Sequence, residues 1–135
     1  MGKRVYLAGR FDERDKIKGY QRVLREAGHE LTVDWTTHMP LARYGDDPEL
    51  AASYAAEDVA GVMAAEVFIL LTSEQAGGTG VHVELGAALA QFQLLGKPVV
   101  FVVGPHFSRS MMYFHPAVRR VETYEDALMQ LGSAG

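Results

Sequence analysis

The stretch that most constrains this chain runs from Val67 to Leu95, VFILLTSEQAGGTGVHVELGAALAQFQLL. It opens on an unbroken apolar run, Val67 to Leu71, of the kind that forms a strand covered on both faces. A glycine-rich turn follows (Gly77, Gly78, Thr79, Gly80). Apolar residues then recur at Val81, Leu85, Ala88, Phe92 and Leu95, which is helical spacing. A strand, a glycine turn and a helix N-terminus in succession gather unpaired backbone N–H groups, so the junction suits an anionic or polar ligand. The pattern puts one carboxylate, Glu84, in the first turn of that helix.

The flanking sequence supplies what such a unit must pack against. Val5 to Ala8 forms a first apolar strand, followed by the turn Gly9-Arg10-Phe11. Asp12 fits an N-cap, with Asp15 in the place of a capping-box acid. Ile17, Tyr20, Val23, Leu24 and Ala27 make a helical stripe that Gly28 stops. His29 to Val33 alternates like a second strand, and 34–48 reads as a loop too long for a plain connector, hence a lid or interface segment. A second helix, Glu49 to Met63, has the apolar face Leu50, Ala51, Tyr54, Ala55, Val59 and Val62. Asp58 falls inside that face, where a carboxylate needs a reason. Beyond the central unit come a strand over 98–103, a loop over 104–115, an edge strand at Val118 to Val121 and a last helix capped by Thr123. This order predicts an α/β fold, a flavodoxin- or Rossmann-like, mostly parallel sheet of about five strands with helices on both faces. Ligands in such sheets bind at the carboxyl ends of the strands, near the point where strand order reverses. The turn after the first strand, the glycine turn before Glu84 and the loop after Val103 should meet there.

With 135 residues, 48% of them hydrophobic, the chain is read as one domain over 1–135. A net charge of −4 leaves no electrostatic footprint for nucleic acid or a membrane surface. Cysteine is absent, so disulfides and thiolate metal sites are excluded. His106 and His115 have no partner spacing for a metal. The segment MGKRVYLAG lacks the apolar region of a signal peptide, and no run is long enough to span a membrane. A cytoplasmic protein binding a small molecule is the expectation.

Tyr6 in the first strand, Asp58 late in the second helix and the run GTGVHVELGAAL together resemble the nucleoside 2-deoxyribosyltransferase family, which includes the 2'-deoxynucleoside 5'-monophosphate N-glycosidases. The likeness in element order extends from YLAGRF through PVVFVVG. It implies that Glu84 is the nucleophile that takes a deoxyribosyl group as a covalent ester. It implies Asp58 as the proton donor or hydrogen-bond partner of the base, and Tyr6 as the group that orients Glu84. It calls for no metal or organic cofactor. Chemically, an anionic carboxylate is suited to stabilise and trap an oxocarbenium-like centre.

The sequence also departs from the family pattern. Where the transferases carry an aspartate for the sugar 5'-hydroxyl and the monophosphate hydrolases a serine near the phosphate, this chain has Gly78, with Thr79 and Gly80 following. Together with Gly9, Arg10 and Phe11 these are the candidate substrate-binding residues, with Arg10 and Thr79 suited to a phosphate. The missing aspartate favours a hydrolase. In the family a polar residue of a neighbouring subunit completes the site from the loop after the fourth strand, which makes Ser110 a candidate here. The small face Gly86, Ala87 and Ala90 suits a partner helix, so a homodimer or higher homo-oligomer is expected. Trp35 and Phe11 are open to either base stacking or packing. Two other readings stand beside this one. A phosphoribohydrolase of the cytokinin-activating type also uses glycines and a glutamate, but its spacing differs from that of Gly80 and Glu84. A non-catalytic nucleotide-binding or sensor module on the same fold would bind without turnover.

Overall fold

The computed structural model of the protein describes residues 2–75 and 79–134. Among these, β1 (Arg4–Ala8), β2 (Glu30–Leu31), β3 (Val67–Leu71), β4 (Val99–Val103) and β5 (Val118–Val121) form one sheet in the order β2-β1-β3-β4-β5. Every neighbouring pair is parallel. The helices are α1 (Arg14–Glu26), α2 (Pro48–Ala64), α3 (Thr79–Leu95) and α4 (Tyr124–Ala134). The α1 and α4 helices touch through Tyr20 and Tyr124, whose hydroxyl donates to the Tyr20 carbonyl at 2.9 Å. On the α2–α3 side, the Gln91 amide donates to the Met63 carbonyl at 2.5 Å. This is the doubly wound α/β arrangement expected from the sequence, with strand order reversing between β1 and β3.

The central strands are apolar on both sides because helices cover both sides. Val5 to Ala8, Val67 to Leu70 and Val100 to Val103 are all buried. Tyr6 and Phe68 lie opposite each other in the β1–β3 register, their rings parallel with centroids 5.8 Å apart. Gly28 ends α1 with φ +93°, the left-handed conformation that glycine adopts without penalty. Asp47 caps α2, accepting from the Leu50 N–H at 3.1 Å, with Pro48 at the first helical position. Thr123 and Asp126 cap α4 reciprocally: each side chain accepts the other's backbone N–H, at 3.1 and 3.3 Å.

Several local expectations give way to tertiary structure. Asp12 does not cap α1, because the Arg10 guanidinium takes its carboxylate instead, and a 3-10 turn over Phe11–Glu13 precedes the helix. The inward stripe of α1 is Ile17, Gln21 and Leu24, whereas Val23 is 43% exposed. Gln21 takes the buried place because its amide donates to Asp34 at 3.0 Å, tying α1 to the segment after β2. The second strand shrinks to two residues, as the chain turns away to bury Trp35, whose indole N–H donates to the Leu7 carbonyl at 2.6 Å. That bond assigns Trp35 to the core rather than to base stacking. On α2, Gly61 and Val62 are buried while Val59 is exposed and Ala55 faces out. On α3, Leu89 is buried and Leu95 is 64% exposed. The α3 helix already includes Thr79 and Gly80, so Glu84 lies beyond its first turn.

Candidate active site

β1 and β3 deliver the floor of the site. Tyr6 is fully buried, and its phenol donates a short hydrogen bond to the Glu84 carboxylate across from α3. Strand alternation turns Tyr6 toward the α2–α3 layer, and helical periodicity turns Glu84 back toward the sheet. With Glu84 past the first turn, the partner that fixes it is this phenol rather than the helix N-terminus. Burial pushes the Glu84 carboxyl up to about 7. The Tyr6 hydrogen bond opposes that rise, and the charge of Asp58 adds to it. The Tyr6 hydroxyl is pushed upward by burial and by the neighbouring Glu84 charge, so it stays a donor.

Asp58 comes to the same region from α2. Its carboxyl is raised to about 6, chiefly by burial; His38 pulls it down and Glu57 pushes it up. One of its oxygens, Oδ1, is buried with no hydrogen-bond partner among the described residues. The His38 Nε2 stands 3.9 Å from that oxygen, beyond hydrogen-bonding range, and 3.5 Å from Glu57 Oε1. The His38 ring stacks on Tyr54 with centroids 3.9 Å apart and planes 4° from parallel, and the Tyr54 hydroxyl accepts the Met39 N–H at 2.7 Å. Sequence reasoning missed His38. It sits in a segment without periodicity, and the one hint was that 34–48 is too long for a simple connection.

The remaining candidates line the carboxyl edge of the sheet. Gly9 leaves β1 where a Cβ would stand 2.5 Å from Ile17 Cδ1, so a side chain there would have to displace the end of Ile17. Arg10 grips Asp12 in a bidentate pair, at 3.0 Å from Nε and 2.8 Å from Nη2. Phe11 is half-buried against Trp35, with the Arg14 guanidinium 4.7 Å over its ring. Thr79 and Gly80 are exposed at the start of α3, and Gly78 lies outside the described residues. The strand ends are knitted together: Ser73 donates to Glu13 at 3.2 Å, and Thr72 donates to the Val103 carbonyl at 2.6 Å. The loop after β4 docks on α3 through His82 and the Tyr113 hydroxyl, 3.1 Å apart. Ser110 caps a 3-10 turn in that loop by accepting the Met112 N–H at 3.1 Å. Thus the structure joins Tyr6 to Glu84 and sets Asp58 within electrostatic reach of both. No described hydrogen bond or ion pair links Ser110 to this group. Among the described residues no cluster of three or more His, Cys, Asp or Glu side chains is arranged to hold a metal. No described helix is long and apolar enough to cross a membrane.

No family model matches the sequence, and no curated protein matches it. Solved structures do. A 2-deoxyribosyltransferase from Bacillus psychrosaccharolyticus superposes with a TM-score of 0.69 at 22% identity, over 92% of this chain and 89% of that one. A CMP N-glycosidase from Clostridium botulinum gives a TM-score of 0.56 at 20% identity, over 96% of this chain and 99% of that one. The chain therefore has the fold of the 2-deoxyribosyltransferases, the fold that the resemblance of Tyr6, Asp58 and the Glu84 helix implied.

Proposed function

We propose that the protein is an N-glycosidic bond enzyme acting on 2'-deoxynucleosides or their 5'-monophosphates, with Glu84 as the nucleophile. The observation that carries this reading is the part-buried Tyr6–Glu84 hydrogen bond at the point where strand order reverses, with a second raised carboxyl, Asp58, within electrostatic reach. In the proposed reaction a Glu84 carboxylate oxygen bonds to the anomeric carbon as the C–N bond breaks, its electron pair leaving on the base. Asp58 gives that base a proton. Water, or a second base in a transfer, then attacks the same carbon and expels the Glu84 carboxylate; in hydrolysis the proton from water returns to Asp58. Gly78 in place of an acidic residue favours the hydrolytic outcome, and the two structural neighbours, a transferase and a nucleotide N-glycosidase, bracket the choice.

The test is release of free base from deoxy- and ribonucleosides, with and without 5'-phosphate, by wild type and Glu84→Ala. Loss of release in a folded variant is the expected result, a fall of at least a thousandfold, and the best substrate settles the 5' group. Binding without release in both proteins would replace the enzyme with a sensor.

The same reading includes assembly with a second copy. The outer face of α2 exposes Val59 and Met63, and that of α3 exposes Val83 and Leu94. The sole charged residue of α3, Glu84, is turned inward. Exposed apolar side chains on two neighbouring helices fit an isologous dimer, and light scattering should report twice the chain mass.

A further inference from the structure

The Asp58 side of the site also holds His38, which packs against α2 and faces its acidic residues. His38 leaves the loop after β2 with its side chain only 10% exposed, and the Tyr54 ring holds it face to face. That stacking points one nitrogen, Nε2, into the gap between Glu57 and Asp58. Both carboxylates belong to α2, and the Asp58 oxygen nearest the ring, Oδ1, is the buried one without a hydrogen-bond partner among the described residues. A buried carboxyl oxygen left in this way is costly unless a donor approaches it. His38 Nε2 is poised to be that donor, needing to move by about 1 Å to reach hydrogen-bonding distance.

We propose that His38 is a positioning residue that sets when Asp58 carries its proton, acting against Glu57 on the same carboxyl. This rests on the reading of Asp58 as the proton donor. The groups facing Asp58 are Glu57 from its own helix, His38 from the loop, Glu84 from α3 and Tyr6 from β1. His38 is the cation or N–H donor of the set, and it favours the ionised form. Glu57 is half-exposed and favours the protonated form. Deleting them one at a time should therefore move Asp58 in opposite directions.

The experiment is a carboxyl-carbon NMR titration of protein labelled at aspartate, with the Asp58 resonance assigned by its loss in Asp58→Asn. In His38→Gln the Asp58 midpoint should rise by roughly one pH unit, the effect of losing a nearby favourable charge. In Glu57→Gln it should fall, by less. A loosened fold would expose Asp58 and lower the midpoint in both variants, so the opposed signs separate the proposal from mere structural damage. A midpoint unchanged or lowered in His38→Gln overturns it. The base-release rate against pH is the second readout: its alkaline limb should follow the titration to higher pH in His38→Gln. Absence of release from wild type would remove the function proposed above, and the titration would still decide whether His38 governs Asp58.

Discussion

The two carboxylates of the site are held in opposite ways. Glu84 rests on the core of the molecule: its partner, Tyr6, is a fully buried residue of the central strand β1, ring-stacked on Phe68 of β3. Asp58 rests on α2, where only Gly61 and Val62 are fully buried, and the imidazole beside it, His38, hangs from a loop. One carboxylate is thus already oriented before any ligand arrives, while the other has an oxygen with no partner among the described residues. A nucleophile gains from fixed orientation, since misplacement by 1 Å is enough to slow a reaction strongly. A proton donor must change partners during the reaction, and a carboxyl without a committed partner is the one free to do so.

The largest effect that distinguishes the two halves should come from Asp58→Asn. Release of a base that leaves only when protonated should fall by roughly a hundred- to ten-thousandfold, the usual range for general acid catalysis. A substrate whose base already carries a positive charge needs no proton, and with it the same variant should retain most of its rate. Comparing the two substrates on one variant makes the check. An equal loss on both would mean that Asp58 binds rather than donates.

Tyr6→Phe should have a smaller consequence and a different signature. Phenylalanine keeps the ring against Phe68 but removes the hydrogen bond, worth about 1.5–3 kcal/mol when one partner is charged, or roughly ten- to a hundredfold in rate. The Tyr6 bond holds Glu84 down against its burial, so its loss should raise the Glu84 carboxyl and shift the acid limb of the rate profile to higher pH. In wild type the competent state has its one proton on Asp58 and none on Glu84, the minor arrangement of a pair in which Glu84 is raised to about 7 and Asp58 to about 6, so the rate should peak between about 6 and about 7 and fall on either side. A flat profile across that range would separate the pair from the chemistry.

The same contrast explains which parts of this molecule could be read from its sequence. Strands β1, β3 and β4 are unbroken apolar runs, and their burial on both faces gives a parallel sheet almost without alternatives. Tyr6 and Glu84 are anchored to those elements, so their meeting follows from the element order and the resemblance. On α2 the many alanines are compatible with either face: periodicity places Val59 inward, yet the observed inner edge runs through Tyr54, Asp58 and Gly61. At Gly61 a Cβ would collide with the Val33 side chain, so the absence of a side chain decides which face of the helix meets the segment after β2. That is packing information, invisible to hydrophobic periodicity. His38 was beyond reach altogether, because its position depends on a hydrogen bond from Trp35 to a strand carbonyl and on the Asp34–Gln21 link, neither of which follows a spacing rule.

The smallest effect in free energy tests the claim that Glu84 is held at a cost to the fold. Burial lifts its carboxyl from an ordinary 4.5 to about 7. Across that window the folded protein keeps a proton that the unfolded chain has released, so stability declines as pH rises from about 4.5 to about 7 and stays lower above it. Glu84→Gln has no charge to bury and retains an acceptor for the Tyr6 hydroxyl. It should therefore match wild type near pH 4 and exceed it at pH 8 by on the order of 1–3 kcal/mol, several degrees in Tm for a chain of this size. Thermal unfolding of both proteins at the two pH values reads the difference directly. A gap that is the same at pH 4 and pH 8 would mean that Glu84 carries no buried charge. A gap that opens with pH would identify the ionised carboxylate as the strained species, the one whose strain is relieved when positive charge develops at a sugar carbon beside it.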